Sequence, residues 1–408
     1  MYVKNLFFRF CLWACITLFG VTCSNREKLA DEKLANNEFL IEGVISGVKN
    51  GTVIELYRYD GMHNLIASDK LRNGRFVFKE KTIPDMERLI INSRDKGFSG
   101  VWLNVWVAPE VKIKIRGKDK LIPLWEVEST IPYQEEENRY INQSRDLIAE
   151  IVRVTVERND LRTKARKAWF NKKAIEYKKR ADSVAVIQDL LQTQRIFAEI
   201  NIMEETDISP IWLDNMKAMA QTLKFYSGLD AEQTDYLRKK TEYLYGRMSE
   251  NDRNSPTGSI VAAALFPPDV VSVGDYMSDT DFLDANGNTR HISDYLGKYL
   301  LLDFWSLGCG PCLRAFPEMK EIAEIYHYNL TIISISLDTD VVWKKAIAEH
   351  DMPWVNIRDP KMWGGLAGNY GIYSIPYYIM ISPDGKVVDK GSGYFKGVLK
   401  SRVSENIK

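Results

Sequence analysis

Hydrophobic and polar positions change rhythm along the 408 residues of the chain. Between Glu38 and Trp125 they alternate in short runs: "FLIEGVISG", "TVIELYRY", "RFVFKE", "RLIIN", "VWLNVWV" and "VKIKIRG", separated by Gly, Asn or Pro. A period of two marks a strand with one buried face. Val111, Ile113 and Ile115 fall on one side of the last run, and Lys112, Lys114 and Arg116 on the other. The pattern predicts a half-buried antiparallel sheet, folded into an all-β sandwich-like domain over residues 38–125. Trp102 and Trp106 either line a groove there or fill a core, and the core is the commoner place for strand aromatics.

From about Tyr133 to Asn251 the apolar residues recur every three or four positions in long charged stretches such as "NQSRDLIAEIVRVTVERNDLRTKARKAWF". That spacing predicts amphipathic helices, hence a central α-helical region over 133–251. The basic run "KKAIEYKKRAD" is flanked by its own acids and reads as a solvated helix face. "NDRNSPTGS" (251–259) reads as a polar linker. Beyond it, over 262–408, the pattern is that of an α/β domain. A hairpin turn is expected at Asn286-Gly287 and another at Pro383-Asp384-Gly385. "YLLLDFWS" and "LTIISISLD" are apolar almost throughout, as central strands covered on both faces require.

Charge changes this picture only by exclusion. Lys plus Arg and Asp plus Glu number 55 each, so no global field favours a polyanion, and nucleic acid is not an expected partner. The N-terminus adds more. Lys4 and Arg9 precede an apolar stretch from Phe10 to Thr22, too short to span a bilayer comfortably, which is the pattern of a secretory signal peptide over 1–23. "FGVTC" resembles a lipoprotein box in which Cys23 is acylated; ordinary cleavage and an uncleaved anchor are the alternatives.

The chain has five cysteines, three of them within the first 23 residues. The other two, Cys309 and Cys312, stand in "LLLDFWSLGCGPCLRAFPEM" (300–319), where an apolar run gives way to a helical pattern. At a helix N-terminus, unpaired N–H groups and the helix dipole stabilise a thiolate, lowering a thiol pKa from about 8.5 and making Cys309 a nucleophile. Two intervening residues place Cys312 on the same turn, able to resolve a mixed disulfide. Gly310 permits the tight turn and Pro311 suits a first helical turn. Competing readings are weaker. A disulfide closing so short a loop stabilises by only about 2 kcal/mol. Zinc would need further ligands, and the four histidines show no ligand spacing, so no metal site is expected. Redox exchange without a cofactor beyond a Cys309–Cys312 disulfide is the expected chemistry.

"LLLDFWSLGCGPCLRAFP" resembles the active-site segment of thioredoxin-fold proteins. With the lead-in "DFLDANGNTRHISDYLGKYLLLDFW" and the stretch "SLDTDVVWKKAIAEHDMPWVNIRD", the segment 273–408 resembles the TlpA/ResA-like thiol-disulfide oxidoreductases. The resemblance implies a thioredoxin-like α/β fold with a central mixed sheet flanked by helices. It implies that Cys309 attacks, Cys312 resolves, and Asp303 is a buried carboxylate that relays a proton for the second cysteine. It also implies that Pro317 kinks the active-site helix. Pro376 in "GIYSIPYY" would be cis and face the pair, with the Ile375 main chain offered to substrate and Trp305 among the substrate contacts. Gly308 and Tyr377 depart from the usual aromatic and threonine. The peroxidatic signature Pro-x-x-x-Thr/Ser-x-x-Cys is absent, Leu302 standing at its proline. The β region resembles, less specifically, an uncharacterised domain that precedes such modules in exported bacterial lipoproteins.

The expected protein is therefore multi-domain and an enzyme of the cell envelope, periplasm-facing or on the cell surface and lipid-anchored through Cys23. It would reduce disulfides of protein substrates and be recharged by an upstream membrane thiol-disulfide electron donor. The alternatives are a dithiol oxidase, or an envelope binding protein with an accessory redox module.

Overall fold

The computed structural model describes residues 33–59, 64–82, 85–168, 171–226 and 228–407. The leader and Cys23 lie outside the described residues. The first region contains β1 (Glu38–Ser46), β2 (Val53–Arg58), β3 (Leu65–Lys70), β4 (Arg75–Lys81), β5 (Glu87–Asn92), β6 (Leu103–Val107), β7 (Lys112–Lys118) and β8 (Glu126–Glu128). They form two four-stranded sheets, β4-β1-β7-β8 and β3-β2-β5-β6. Inward-facing Phe39, Ile41, Leu56, Phe76, Leu89 and Ile113 share one core. The sandwich expectation is met, but its pairing is not purely antiparallel: β1 runs parallel to β7. A parallel pair needs a long crossover, and here strands β2 to β6 supply it. Strands β3 and β8 were not expected, because "LIASDK" and "EVE" carry too few apolar residues to signal strands.

Among the described residues seven helices follow: α1 (Pro132–Gln143), α2 (Arg145–Lys167), α3 (Lys172–Glu205), α4 (Pro210–Phe225), α5 (Ala231–Arg247), α6 (Glu250–Asn254) and α7 (Pro256–Leu265). Their starts are locally encoded. Asn171 and Ser209 accept from the backbone of α3 and α4, and Asp230 with Gln233 completes a capping box on α5. Val154 and Leu161 of α2 pack with Ala181 and Val184 of α3. Trp106 of β6 is buried as a core residue, but in the helical core with Tyr140, Trp212 and Leu237, whereas Trp102 is 40% exposed. Arg88 of β5 pairs with Asp214 of α4 across the same boundary.

The expected linker at 251–259 is instead helical. Ser249 caps α6, and Ser255 caps α7 with Pro256 in its first turn. Ser-x-x-Asp and Ser-Pro are helix-start signals, here mistaken for turn signals. Helix α7 then packs on a 3₁₀ turn at Met362–Gly364 of the C-terminal domain. A Cβ on Gly364 would lie 2.3 Å from the Ser259 carbonyl carbon, so the two backbones meet where only glycine fits.

The C-terminal domain contains β9 (Phe282–Leu283), β10 (Thr289–Arg290), β11 (Tyr299–Trp305), α8 (Gly310–Ile325), β12 (Leu330–Ser336), α9 (Asp340–Glu349), β13 (Val355–Arg358), α10 (Leu366–Asn369), β14 (Tyr377–Ile381), β15 (Val387–Ser392) and α11 (Val398–Asn406). Its sheet has the order β10-β9-β13-β12-β11-β14-β15. β11 and β13 flank β12 in parallel, while β14 joins β11 antiparallel. The short β9–β10 hairpin turns at the expected Asn-Gly, where Gly287 takes φ 82°. Alternate residues of β11 enter separate cores, as the period of a two-sided strand requires. Leu300, Leu302 and Phe304 face one side. Leu301 and Trp305 face the other, under α8 and α11.

Candidate active site

Cys309 ends the loop after central strand β11 and is the N-cap of α8. It forms a disulfide with Cys312, the Cα atoms 5.3 Å apart. The Cys312 N–H donates to the Cys309 sulfur at 3.2 Å, so a free helix-start donor is aimed at the sulfur that would carry negative charge. Cys309 is half-buried and Cys312 fully buried. That asymmetry gives one sulfur access to a partner and hides the other. Asp338, two residues beyond β12, steadies the approach to the pair: its Oδ2 accepts from the Leu307 N–H at 2.7 Å and from the Ser336 hydroxyl at 3.3 Å.

Asp303 lies between Leu301 and Trp305 in β11, so strand alternation puts it on the face that packs under α8, where those two neighbours join the cluster that also takes in Cys312. Its strand neighbours are Ser334 of β12 and Tyr378 of β14. Burial pushes the Asp303 carboxyl up to about 7, and the hydrogen bond from Ser334 opposes that rise. The Ser334 hydroxyl donates to Oδ2 at 2.7 Å and accepts from the Trp354 indole N–H at 2.8 Å. An indole N–H can only donate, so the Ser334 proton is directed at Asp303. This one-way chain favours the carboxylate, while the dry surroundings favour the acid. The group is thus poised between the two near neutrality.

The Ile375-Pro376 peptide bond is cis. Pro376 is buried, and Ile375 packs against the cluster containing Cys312. Among the described residues the N–H and C=O of Ile375 have no hydrogen-bond partner. Trp305 corrects an expectation. Its side chain is fully buried, edge-on to Phe316 at 5.3 Å, and so supports α8 from below with no surface for a substrate. A residue at the end of a central strand covered on both faces, with its side chain on the helix-covered face, packs inward. Gly308 is exposed, and a Cβ there would meet nothing within 4 Å, so the expected aromatic shield is absent because of the residue and not for lack of room.

Several supporting residues were not foreseen. Ser334 and Asp338 had a signal, since serine or aspartate in or just after an apolar strand is buried polarity that needs a purpose. Trp354 had none, being brought in by the sheet. Glu318, after the helix proline, is 6% exposed and accepts from the Tyr394 hydroxyl at 3.0 Å, the Gly397 N–H at 2.8 Å and the Lys400 N–H at 2.9 Å. It ties α8 to the start of α11. Among the described residues no cluster of three potential metal ligands occurs.

A mixed sheet, a helix-capping cysteine pair after its central strand, and a cis-proline loop packed against that pair define a thioredoxin-like domain. Comparison with known proteins narrows this. Residues 273–390 match the family model described as AhpC/TSA family. A thiol-disulfide oxidoreductase ResA of Bacillus thuringiensis is 30% identical over 112 residues, which span 27% of this chain and 64% of that relative. The thioredoxin domain of a thiol-disulfide oxidoreductase from Bacteroides vulgatus superposes with 27% identity and a TM-score of 0.31, covering 34% of this chain and 99% of that one. A thiol-disulfide oxidoreductase from Bacteroides fragilis does so with 26% identity and a TM-score of 0.30, covering 32% and 98%. The C-terminal domain is thioredoxin-like by its own fold, and over 112 residues its sequence is similar to that ResA oxidoreductase, of whose length it spans less than two thirds.

The poised carboxylate makes stability pH-dependent. With a folded pKa of about 7 against 3.8 unfolded, Asp303 holds its proton longer in the native state. Its contribution is therefore favourable below pH 4 and is lost as pH rises through 7, a cost of up to about 4 kcal/mol. Asp303→Asn should stabilise the oxidised protein by a few kcal/mol at pH 8 and leave it nearly unchanged at pH 3. Urea unfolding at both pH values checks this, and an equal effect at both would show that Asp303 carries no such burden.

Proposed function

We propose that this protein is a thiol-disulfide oxidoreductase of the cell envelope, acting as a reductase of disulfides in protein substrates. The observation that carries the reading is the fully buried carboxyl of Asp303, on the strand face beneath a helix-capping disulfide whose two sulfurs differ in access. In the reduced protein, the Cys309 thiolate attacks one sulfur of a substrate disulfide. A Cys309–substrate disulfide forms, and the other substrate sulfur leaves as a thiolate that takes a proton from water. Cys312 has no contact with solvent, so its proton needs an internal acceptor. Asp303 takes it, and the resulting thiolate attacks the Cys309 sulfur and expels the second substrate thiolate. The substrate gains two electrons and the pair becomes the observed disulfide. A dithiol donor, expected upstream at the membrane, must restore it by the reverse exchange. The absence of a peroxidatic signature leaves a peroxide-reducing reading without its cysteine.

The envelope location rests on the basic-apolar leader, and the anchor on Cys23. Among the described residues no helix is long and apolar enough to cross a membrane. An acylated Cys23 predicts that Cys23→Ser moves the protein from the membrane fraction to the soluble one; unchanged fractionation would remove the anchor.

Cys312→Ala should accumulate mixed disulfides between Cys309 and substrate proteins, visible as thiol-sensitive adducts, whereas Cys309→Ser should form none. A free, reactive Cys309 that traps nothing would overturn the exchange mechanism. Direction is settled by equilibrium with glutathione. A reductase should be far more reducing than about −120 mV, the region of strong dithiol oxidants, and a value there would reverse the proposed direction.

A further inference from the structure

The main chain at the cis-proline loop continues away from the cysteine pair as an unpaired edge. Among the described residues, Tyr373, Ser374 and Ile375 make no main-chain hydrogen bonds. The segment bends at Ser374 and Ile375, and its unpaired main-chain groups are available to hydrogen-bond a short stretch of another polypeptide. The edge leads into a cavity of about 240 Å³ between the helical region and the thioredoxin-like domain. Lys224, Phe225 and Gln221 of α4 line one wall, and Trp363, Ile372 and Tyr373 line the other. Phe225 and Tyr373 meet edge to face at 5.4 Å, yet each remains at least half exposed.

Lys224 is the one charge in this lining. Its ammonium lies 5.7 Å from the Phe225 ring centre and 5.4 Å from that of Tyr373, and it has no ion-pair partner among the described residues. Burial lowers its pKa, with no acid nearby to oppose the fall. A half-buried cation without a counter-ion, beside two exposed rings, is the complement of a carboxylate next to an apolar side chain. Gln221 and Phe225 also line a second cleft of about 480 Å³ that runs on along α3 and α4, so a chain seated in the first has a path out.

We propose that this interdomain pocket seats a segment of the substrate polypeptide in which an acidic residue adjoins an aromatic one, a few residues from the reactive cystine. The substrate strand pairs with Tyr373–Ile375, its carboxylate meets Lys224, and its ring lies on Phe225 and Tyr373. The inference rests on the disulfide-exchange reading and assigns the selection of substrate to the junction between domains.

The test mixes the full, reduced protein in single turnovers with three disulfides. Two are peptides identical but for a Phe-Glu or a Ser-Lys pair placed about two to five residues from the cysteine, on the extended-chain reach of the edge. The third, the small neutral bis(2-hydroxyethyl) disulfide, cannot reach the pocket. Wild type should bind the Phe-Glu peptide about tenfold more tightly than the Ser-Lys peptide, and Lys224→Glu should invert that preference. Tyr373→Ala should weaken the Phe-Glu peptide alone. Exchange with the small disulfide should be unchanged in both variants, which also shows that they fold. Equal binding of both peptides by wild type, or unchanged discrimination in Lys224→Glu, overturns the proposal. So does a wild-type dimer that Lys224→Glu dissociates, because the pocket would then hold a second copy of this chain. Failure of wild type to exchange with the small disulfide would instead count against the disulfide-exchange reading itself.

Discussion

The C-terminal domain is organised around a carboxylate placed where water cannot reach it. Asp303 sits mid-strand in a sheet covered on both faces, and its ionisation is disfavoured by that position alone. A single neutral hydroxyl partner softens the penalty without removing it. Had the partner been a cation, the carboxylate would have stayed ionised at neutral pH and a poor proton acceptor. Had it been apolar, the acid would have stayed protonated. Ser334, fixed in polarity by Trp354, holds the group between those limits. Everything above it depends on the same packing: α8 must lie close enough to exclude water, and so must bring Cys312 with it.

That dependence explains why Glu318 and Trp305 matter although neither touches the disulfide. Trp305 fills the space beneath α8, and Glu318 fixes the helix against α11 through three hydrogen bonds. A gap left by either would admit water toward Asp303 and move its proton affinity back toward that of an exposed acid. Packing and chemistry are the same constraint here.

What could be read from the sequence divides along this line. The placement of Cys309 and Cys312 at a helix start, of Asp303 in a buried strand and of Pro376 after a cis bond was legible because each belongs to a short local motif. The β- and α-rich regions were legible from periodicity. Trp305 was misassigned because periodicity says which strand face a residue occupies, not whether that face is open. Ser334 and Trp354 act as a pair only once β12 and the segment leading into β13 lie side by side, and no spacing encodes that. The stretch 251–259 misled for another reason. Ser, Pro and Gly serve both turns and helix starts, and the choice was made downstream, by "IVAAAL" finding an apolar surface on α4 and on the turn at Trp363.

That last contact changes what the helical region is. If 251–259 were a flexible linker, the thioredoxin-like domain would move independently, and no surface could form between it and the helices. Instead Gly364 brings the Met362–Gly364 turn against the backbone of α7, and Trp363 packs into the helical core. The same helix continues the wall on which α4 carries Lys224 and Phe225. A close glycine contact therefore fixes the distance between a redox edge at Tyr373–Ile375 and side chains contributed by a different region. An isolated thioredoxin-like domain would keep the disulfide, Asp303 and the cis-proline. It would lose one whole wall of the pocket, and with it the half-buried Lys224 ammonium.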